Sequence, residues 1–162
     1  MKAFYDKLGE KKFRLFAVIS CFVGDLMLSK YLYDKYADRQ SFDLHFPKAM
    51  QMLKSLNQQQ KMNLNFPPDF QENVYSLIVN TLLTCLAIYL LFHIFNYIFY
   101  IYKKRFAHLY LTFLSFTATL FAPLMGLAVM SQAPVYGTLF ILQGVLFFFV
   151  AYGTRIFKIL PK

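Results

Sequence analysis

The sequence predicts an all-α integral membrane protein. Four transmembrane helices form an antiparallel bundle with cytoplasmic termini, and one short amphipathic helix occupies an extracytoplasmic loop. Three observations carry this expectation. Of 162 residues, 58% are hydrophobic and only 15% are charged, well below the roughly 25% charge of soluble domains. The apolar residues fall in four long blocks, at 15–33, 73–102, 106–130 and 135–156. Each is long enough for a hydrocarbon core about 30 Å thick, which roughly 20 helical residues span. Lastly, the cations gather in alternate connections.

The first segment, residues 1–14, is a basic tail carrying Lys2, Lys7, Lys11, Lys12 and Arg14 against Asp6 and Glu10. The link at 103–105 reads Lys103, Lys104, Arg105, and the tail at 157–162 follows Arg155 with Lys158 and Lys162. The 34–72 loop balances five cations with five acids. The chain's net charge of +9 therefore lies on one side, and an excess of Lys and Arg marks the cytoplasmic side. This basic balance reads as topology and headgroup attraction; "YKKRF" is too short a run for nucleic acid.

Span one begins near "VISC", Val18–Cys21, which looks like a lipoprotein cleavage box. The apolar run between Arg14 and Cys21 is shorter than the 7–15 residues of a signal h-region, and it continues past the cysteine. An uncleaved first helix is expected. In the 34–72 loop, Pro47 suits a first helical position and no breaker follows through Met62, so a surface helix is expected over about 47–62. Met52, Leu53 and Leu56 share its apolar face, a candidate contact for a partner or the membrane surface. "NFPPDF", Asn65–Phe70, is an extended connector into span two. Spans two and three are joined by 103–105, and spans three and four by the outer turn 131–134, so each pair must be neighbours. Pro123 in "FAPLMG" predicts a kink near the outer end of span three.

Both cysteines, Cys21 and Cys85, fall inside spans, and the loop has no Asn-x-Ser/Thr sequon. Together these tilt the localisation toward a bacterial inner membrane. No GxSxG, Walker loop, GxGxxG, HExxH or CxxC occurs. Neither an enzyme, a nucleotide, a metal nor another cofactor is expected. His108 reads as an interfacial anchor of span three.

Lipid gives helices no hydrophobic reason to associate, so small and polar residues mark the faces that meet. Span one repeats Ala17, Cys21, Asp25 and Ser29 every four residues, with Gly24 alongside. Span two presents Tyr89, His93, Asn96, Tyr97 and Tyr100. Span three traces a seam through His108, Thr112, Ser115, Thr119, Ala122 and Gly126. Span four carries Gly137, Gly144 and Ala151, with Gln143 adjacent. At 1.5 Å per residue, Asp25, His93, Ser115 and Gln143 each lie about 15–18 Å from the nearest inner cation. A midplane polar network of Asp25, His93, Ser115, Thr119 and Gln143 is expected. A lone carboxylate there costs on the order of 3 kcal/mol, so it must be paired, protonated or wetted. Lys30 lies about 140° around the helix from Asp25 and is expected to snorkel to the outer headgroups.

Two function classes follow. The first is an accessory, assembly or regulatory subunit, including inhibitory or immunity-type proteins, that binds another membrane protein, or copies of itself, through its helix faces and outer loop. The alternative is a small oligomeric channel or transporter with a proton or ion site at Asp25 and His93. The absence of catalytic motifs and the short cytoplasmic segments favour the first.

Overall fold

The computed structural model describes residues 1–60 and 66–158, without the side chains of 56–60. Among them are six helices: α1 (Lys2–Leu8), α2 (Glu10–Tyr36), α3 (Arg39–Gln60), α4 (Phe70–Ile101), α5 (Arg105–Val129) and α6 (Pro134–Ile156). α2, α4, α5 and α6, of 27, 32, 25 and 23 residues, are long and apolar enough to cross a membrane. At 1.5 Å per residue they measure about 35–48 Å. Large apolar side chains such as Leu91, Phe95, Phe113 and Leu124 are more than half exposed along them. Such helices are stable where lipid takes the place of water, and the chain is a multi-pass membrane protein. Lys162 lies outside the described residues.

The chain divides into two compact units. One comprises Met1–Leu28 with the described residues from Tyr89 onward; the other is Ser29–Ile88.

The first unit holds a core of Tyr5, Phe13, Ala17, Cys21, Tyr97, Tyr100, Ala107, Leu111, Phe147 and Val150. The basic tail belongs to it. Gly9 takes φ 74° between α1 and α2, a left-handed value that glycine adopts without strain. The turn buries Tyr5 completely. The Tyr5 hydroxyl donates to the Phe149 carbonyl at 2.8 Å, and its ring packs against Phe13, Tyr152 and Phe157. Burial, with Tyr152 nearby, pushes the Tyr5 phenol above its usual range. The absent side chain of Gly153 makes room for the Phe13 and Tyr5 rings.

α5 and α6 pack along a seam of small residues. A Cβ on Gly126 would lie 2.6 Å from the Gly137 carbonyl oxygen, and one on Gly137 would lie 2.8 Å from that of Gly126. Further along, Gly144 receives the Pro123 ring, and Arg155 sits 5.9 Å over the Phe116 ring. α5 continues helical through Pro123, which lacks the N–H that would bond the Thr119 carbonyl. Gly24 faces the side chains of Gln143 and Phe147, and Ala151 is 9% exposed.

In the second unit, α3 starts at Arg39, eight residues before Pro47, so the expected start of the loop helix is corrected. Asp38 is the cause: its carboxylate accepts the Ser41 N–H at 3.0 Å while its carbonyl accepts that of Phe42 at 3.1 Å, an N-cap arrangement. Hydrogen bonding from the Ser41 side chain, and then from its backbone N–H, holds the Asp38 acid below its usual range. Pro47 lies inside the helix, and residues 61–62 of the expected range lie outside the described residues. Arg39 bonds Asp43 at 3.0 Å and Glu72 at 2.6 Å, and Gln71 donates to Asp43 at 2.8 Å. The Tyr75 hydroxyl donates to Ala37 at 2.8 Å, while Phe42 packs on Tyr75 and Phe46 on Phe70. Met52 is 70% exposed; Leu53, 43% exposed, borders a groove with Phe42, Phe46 and Val74. The side chain of Leu56 lies outside the described residues. Ser29 is buried, and Lys30 meets Asp34 at 2.6 Å.

Candidate functional site

The first-span stripe forms one buried face. Ala17 and Cys21 are fully buried, Asp25 is 3% exposed and Ser29 is 8% exposed. Spacing of four residues in a helix of 3.6 per turn keeps such positions on one side. The same spacing in α4 places Tyr89, His93 and Tyr97 in register, and all three reach Asp25.

The Tyr89 hydroxyl donates to Asp25 Oδ1 at 2.8 Å. The Tyr97 hydroxyl donates to Oδ2 at 2.5 Å. His93 Nδ1 lies 3.0 Å from Oδ2 and 3.2 Å from the Tyr97 hydroxyl oxygen. An ionised carboxylate only accepts, so wherever His93 bonds an ionised Asp25 it does so through a protonated Nδ1. The rings are also packed. Tyr89 and His93 centroids are 4.2 Å apart, and Tyr110 of α5 presents an edge to His93 at 5.7 Å. Two phenol donors and an imidazole nitrogen within hydrogen-bond distance surround this carboxyl group, the kind of pairing that an acid in a spanning helix requires.

A cavity of about 170 Å³ opens beside this cluster. Asp25, Tyr89 and Gln143 supply its polar wall; Leu114, Phe140 and Phe147 are among its apolar lining.

The other expected network residues are placed differently. Ser115 is fully buried, but its hydroxyl donates to the Thr112 carbonyl at 3.2 Å. Thr119 donates to the Ser115 carbonyl at 2.7 Å. Both hydroxyls thus serve carbonyls of their own helix, as Ser and Thr do inside α-helices. Gln143 Nε2 donates to the Ser20 carbonyl at 2.6 Å, tying α6 to α2, and Gln143 shares the cavity rather than a hydrogen bond with Asp25. The tyrosines take the places expected for these hydroxyls. Their shared face with His93 was the available signal, but tyrosine near a membrane interface reads first as an anchor.

A second polar cluster lies toward the start of α2. Arg14 is 3% exposed. It donates to Glu10 at 3.0 Å and to the Tyr100 carbonyl at 2.8 Å, with its guanidinium 4.7 Å over the Tyr100 ring. Lys103 also meets Glu10, at 3.0 Å. His108 is 7% exposed and stacks on Tyr100 with centroids 6.0 Å apart. Among the described residues, neither His108 Nδ1 nor the Tyr100 hydroxyl has a hydrogen-bond partner.

Cys21 is buried and Cys85 exposed, both as free thiols. Among the described residues, no three His, Cys, Asp or Glu side chains converge as a metal site would need. No family model, curated protein or solved structure matches this chain.

Proposed function

We propose that the Asp25–His93 centre is a proton-exchanging site in a small transporter or channel of a bacterial inner membrane. The observation that carries this is Asp25 itself: an acid buried to 3% in a spanning helix, held by two phenols and an imidazole. Ionisable groups at such depth are expensive, and their default reading is functional. Histidine gives the cluster a second group able to carry a proton, beside the Asp25 carboxyl. In this reading the four spans form an antiparallel bundle with both termini cytoplasmic and α3 outside. The one-sided cations support that orientation, as does the packing of Tyr5 against the last turns of α6. Four helices enclose little more than side chains, so a conducting path calls for several copies of the chain.

The test is proton flux into liposomes containing the purified protein and an internal pH-sensitive dye. Asp25→Asn keeps the shape and most hydrogen bonds, and it should abolish flux while the protein still inserts and elutes as a single species. A folded Asp25→Asn protein with wild-type flux removes the reading.

One observation favours the accessory-subunit reading. Only 6% of the most apolar window of α4 is buried, against 39% for α2, which leaves a long apolar face for another membrane protein as well as for lipid. Mass measurement in mild detergent separates the two: a stoichiometric foreign subunit favours this reading, and a pure homo-oligomer the transporter.

A further inference from the structure

We infer that the cavity beside Asp25 binds a small organic ammonium cation, and that this cation and the proton compete for one negative charge. The inference rests on the reading of Asp25 as a proton-exchanging group and names the class of solute exchanged against the proton.

The charge balance comes first. When Asp25 is ionised and His93 neutral, the cluster of Asp25, Tyr89, His93 and Tyr97, with Cys21 and Tyr110 adjoining it, carries one net negative charge. Hydrogen bonds delocalise that charge but do not cancel it, and in a spanning segment an uncancelled charge is costly. Two things can cancel it: a proton on the cluster, or a cation in the adjoining space. Asp25 lines the cavity directly. Its Oδ1 accepts one hydrogen bond, from Tyr89, whereas a carboxylate oxygen can accept two.

The walls then select the cation. Sodium, magnesium and calcium need about six oxygen ligands to replace their hydration shells. Among the cavity's lining residues only Asp25, Tyr89 and Gln143 carry side-chain oxygens, and Gln143 Nε2 already donates to the Ser20 carbonyl. The remainder is apolar and aromatic, including Met125, Phe140 and Phe147. An alkylated ammonium ion carries its charge behind methyl groups, loses little hydration and is attracted to aromatic faces. The volume of about 170 Å³ is below the roughly 300–1,000 Å³ of drug-sized pockets, which restricts the site to a small ion.

Tetramethylammonium is the probe, titrated calorimetrically into the full-length protein in mild detergent at pH 8. One saturable site is expected. Its affinity should fall at least tenfold in Asp25→Asn, and in the wild type should fall on acidification toward about tenfold per pH unit, the slope of a one-proton exchange. Tetraphenylphosphonium, too bulky for the cavity, should neither bind nor compete, and neither should sodium or magnesium. If Asp25→Asn does not fold, the wild-type pH series carries the test alone. No saturable binding at pH 8, or binding indifferent to pH, overturns the inference. Asp25-dependent proton flux without tetramethylammonium binding also overturns it, and leaves the proton-site reading standing. Binding that follows pH as described, in a protein without proton flux, supports the cation site and removes transport of protons alone.

Discussion

Gly126→Ala tests the close packing of α5 against α6. The added Cβ would lie 2.6 Å from the Gly137 carbonyl oxygen and 2.8 Å from Ile141 Cγ1, where ordinary contact begins near 3.4 Å. A backbone oxygen cannot rotate aside, so α5 and α6 must part by about 0.8 Å at that point. Overpacking of this kind costs about 1–3 kcal/mol. At roughly 3 °C per kcal/mol for a chain of this size, the melting temperature should drop by about 3–9 °C. Cys21 is fully buried and Cys85 exposed, so a thiol-reactive fluorophore in a Cys85→Ser background reports unfolding through Cys21. Leu124→Ala, at a side chain 59% exposed, is the control, with an effect within about 0.5 kcal/mol. Gly126→Ala combined with Gly137→Ala should cost less than the sum, because one separation of the helices accommodates both methyls. A Gly126→Ala protein melting within about 1 °C of wild type would refute the close approach.

Tyr97→Phe removes a donor from Asp25 and a neighbour from His93 Nδ1; it should destabilise by about 1–2 kcal/mol and move the His93 ring nitrogen signals in NMR, with Tyr89→Phe having the smaller effect on those signals. Arg14→Ala removes a side chain 3% exposed and strands the Tyr100 carbonyl, while Glu10 keeps Lys103, so about 1–3 kcal/mol is expected in the same melting assay, and Arg14→Lys should recover only part because an ammonium lacks the fork. Gly153→Ala should loosen α1, because the new methyl displaces the Phe13 and Tyr5 rings; faster protease cleavage before Gly9 would register it. In α3, hydrogen bonds from Arg39 and Gln71 hold the Asp43 acid below its ordinary 3.8. The tie is therefore complete above that value and is lost as pH falls through the lowered one. Amide exchange in α3 should rise on acidification in the wild type and show a flatter response in Asp43→Asn.

The four spans, and the class of protein they imply, were determined by amino-acid sequence alone. Long apolar blocks have only one backbone solution in lipid other than a barrel, so composition and length suffice. The face of span one was equally legible, because four-residue spacing keeps Ala17, Cys21, Asp25 and Ser29 on one side whatever they pack against. The partners of that face were a tertiary decision. Spacing alone cannot say whether Asp25 meets a span-three hydroxyl or a span-two phenol. That depends on helix rotation and on the reach of a tyrosine side chain, and Ser115 and Thr119 turn back to their own carbonyls instead. Arg14 shows the same limit: near the end of a span, a cation can face headgroups or fold inward, and only the Tyr100 ring decided it. The start of α3 was set by Asp38 capping Ser41, a local bond that competes with the appeal of Pro47 as a first residue. Periodicity is a property of one helix, and a site is a property of several, which is why the first was readable along the chain and the second required the helices to be packed.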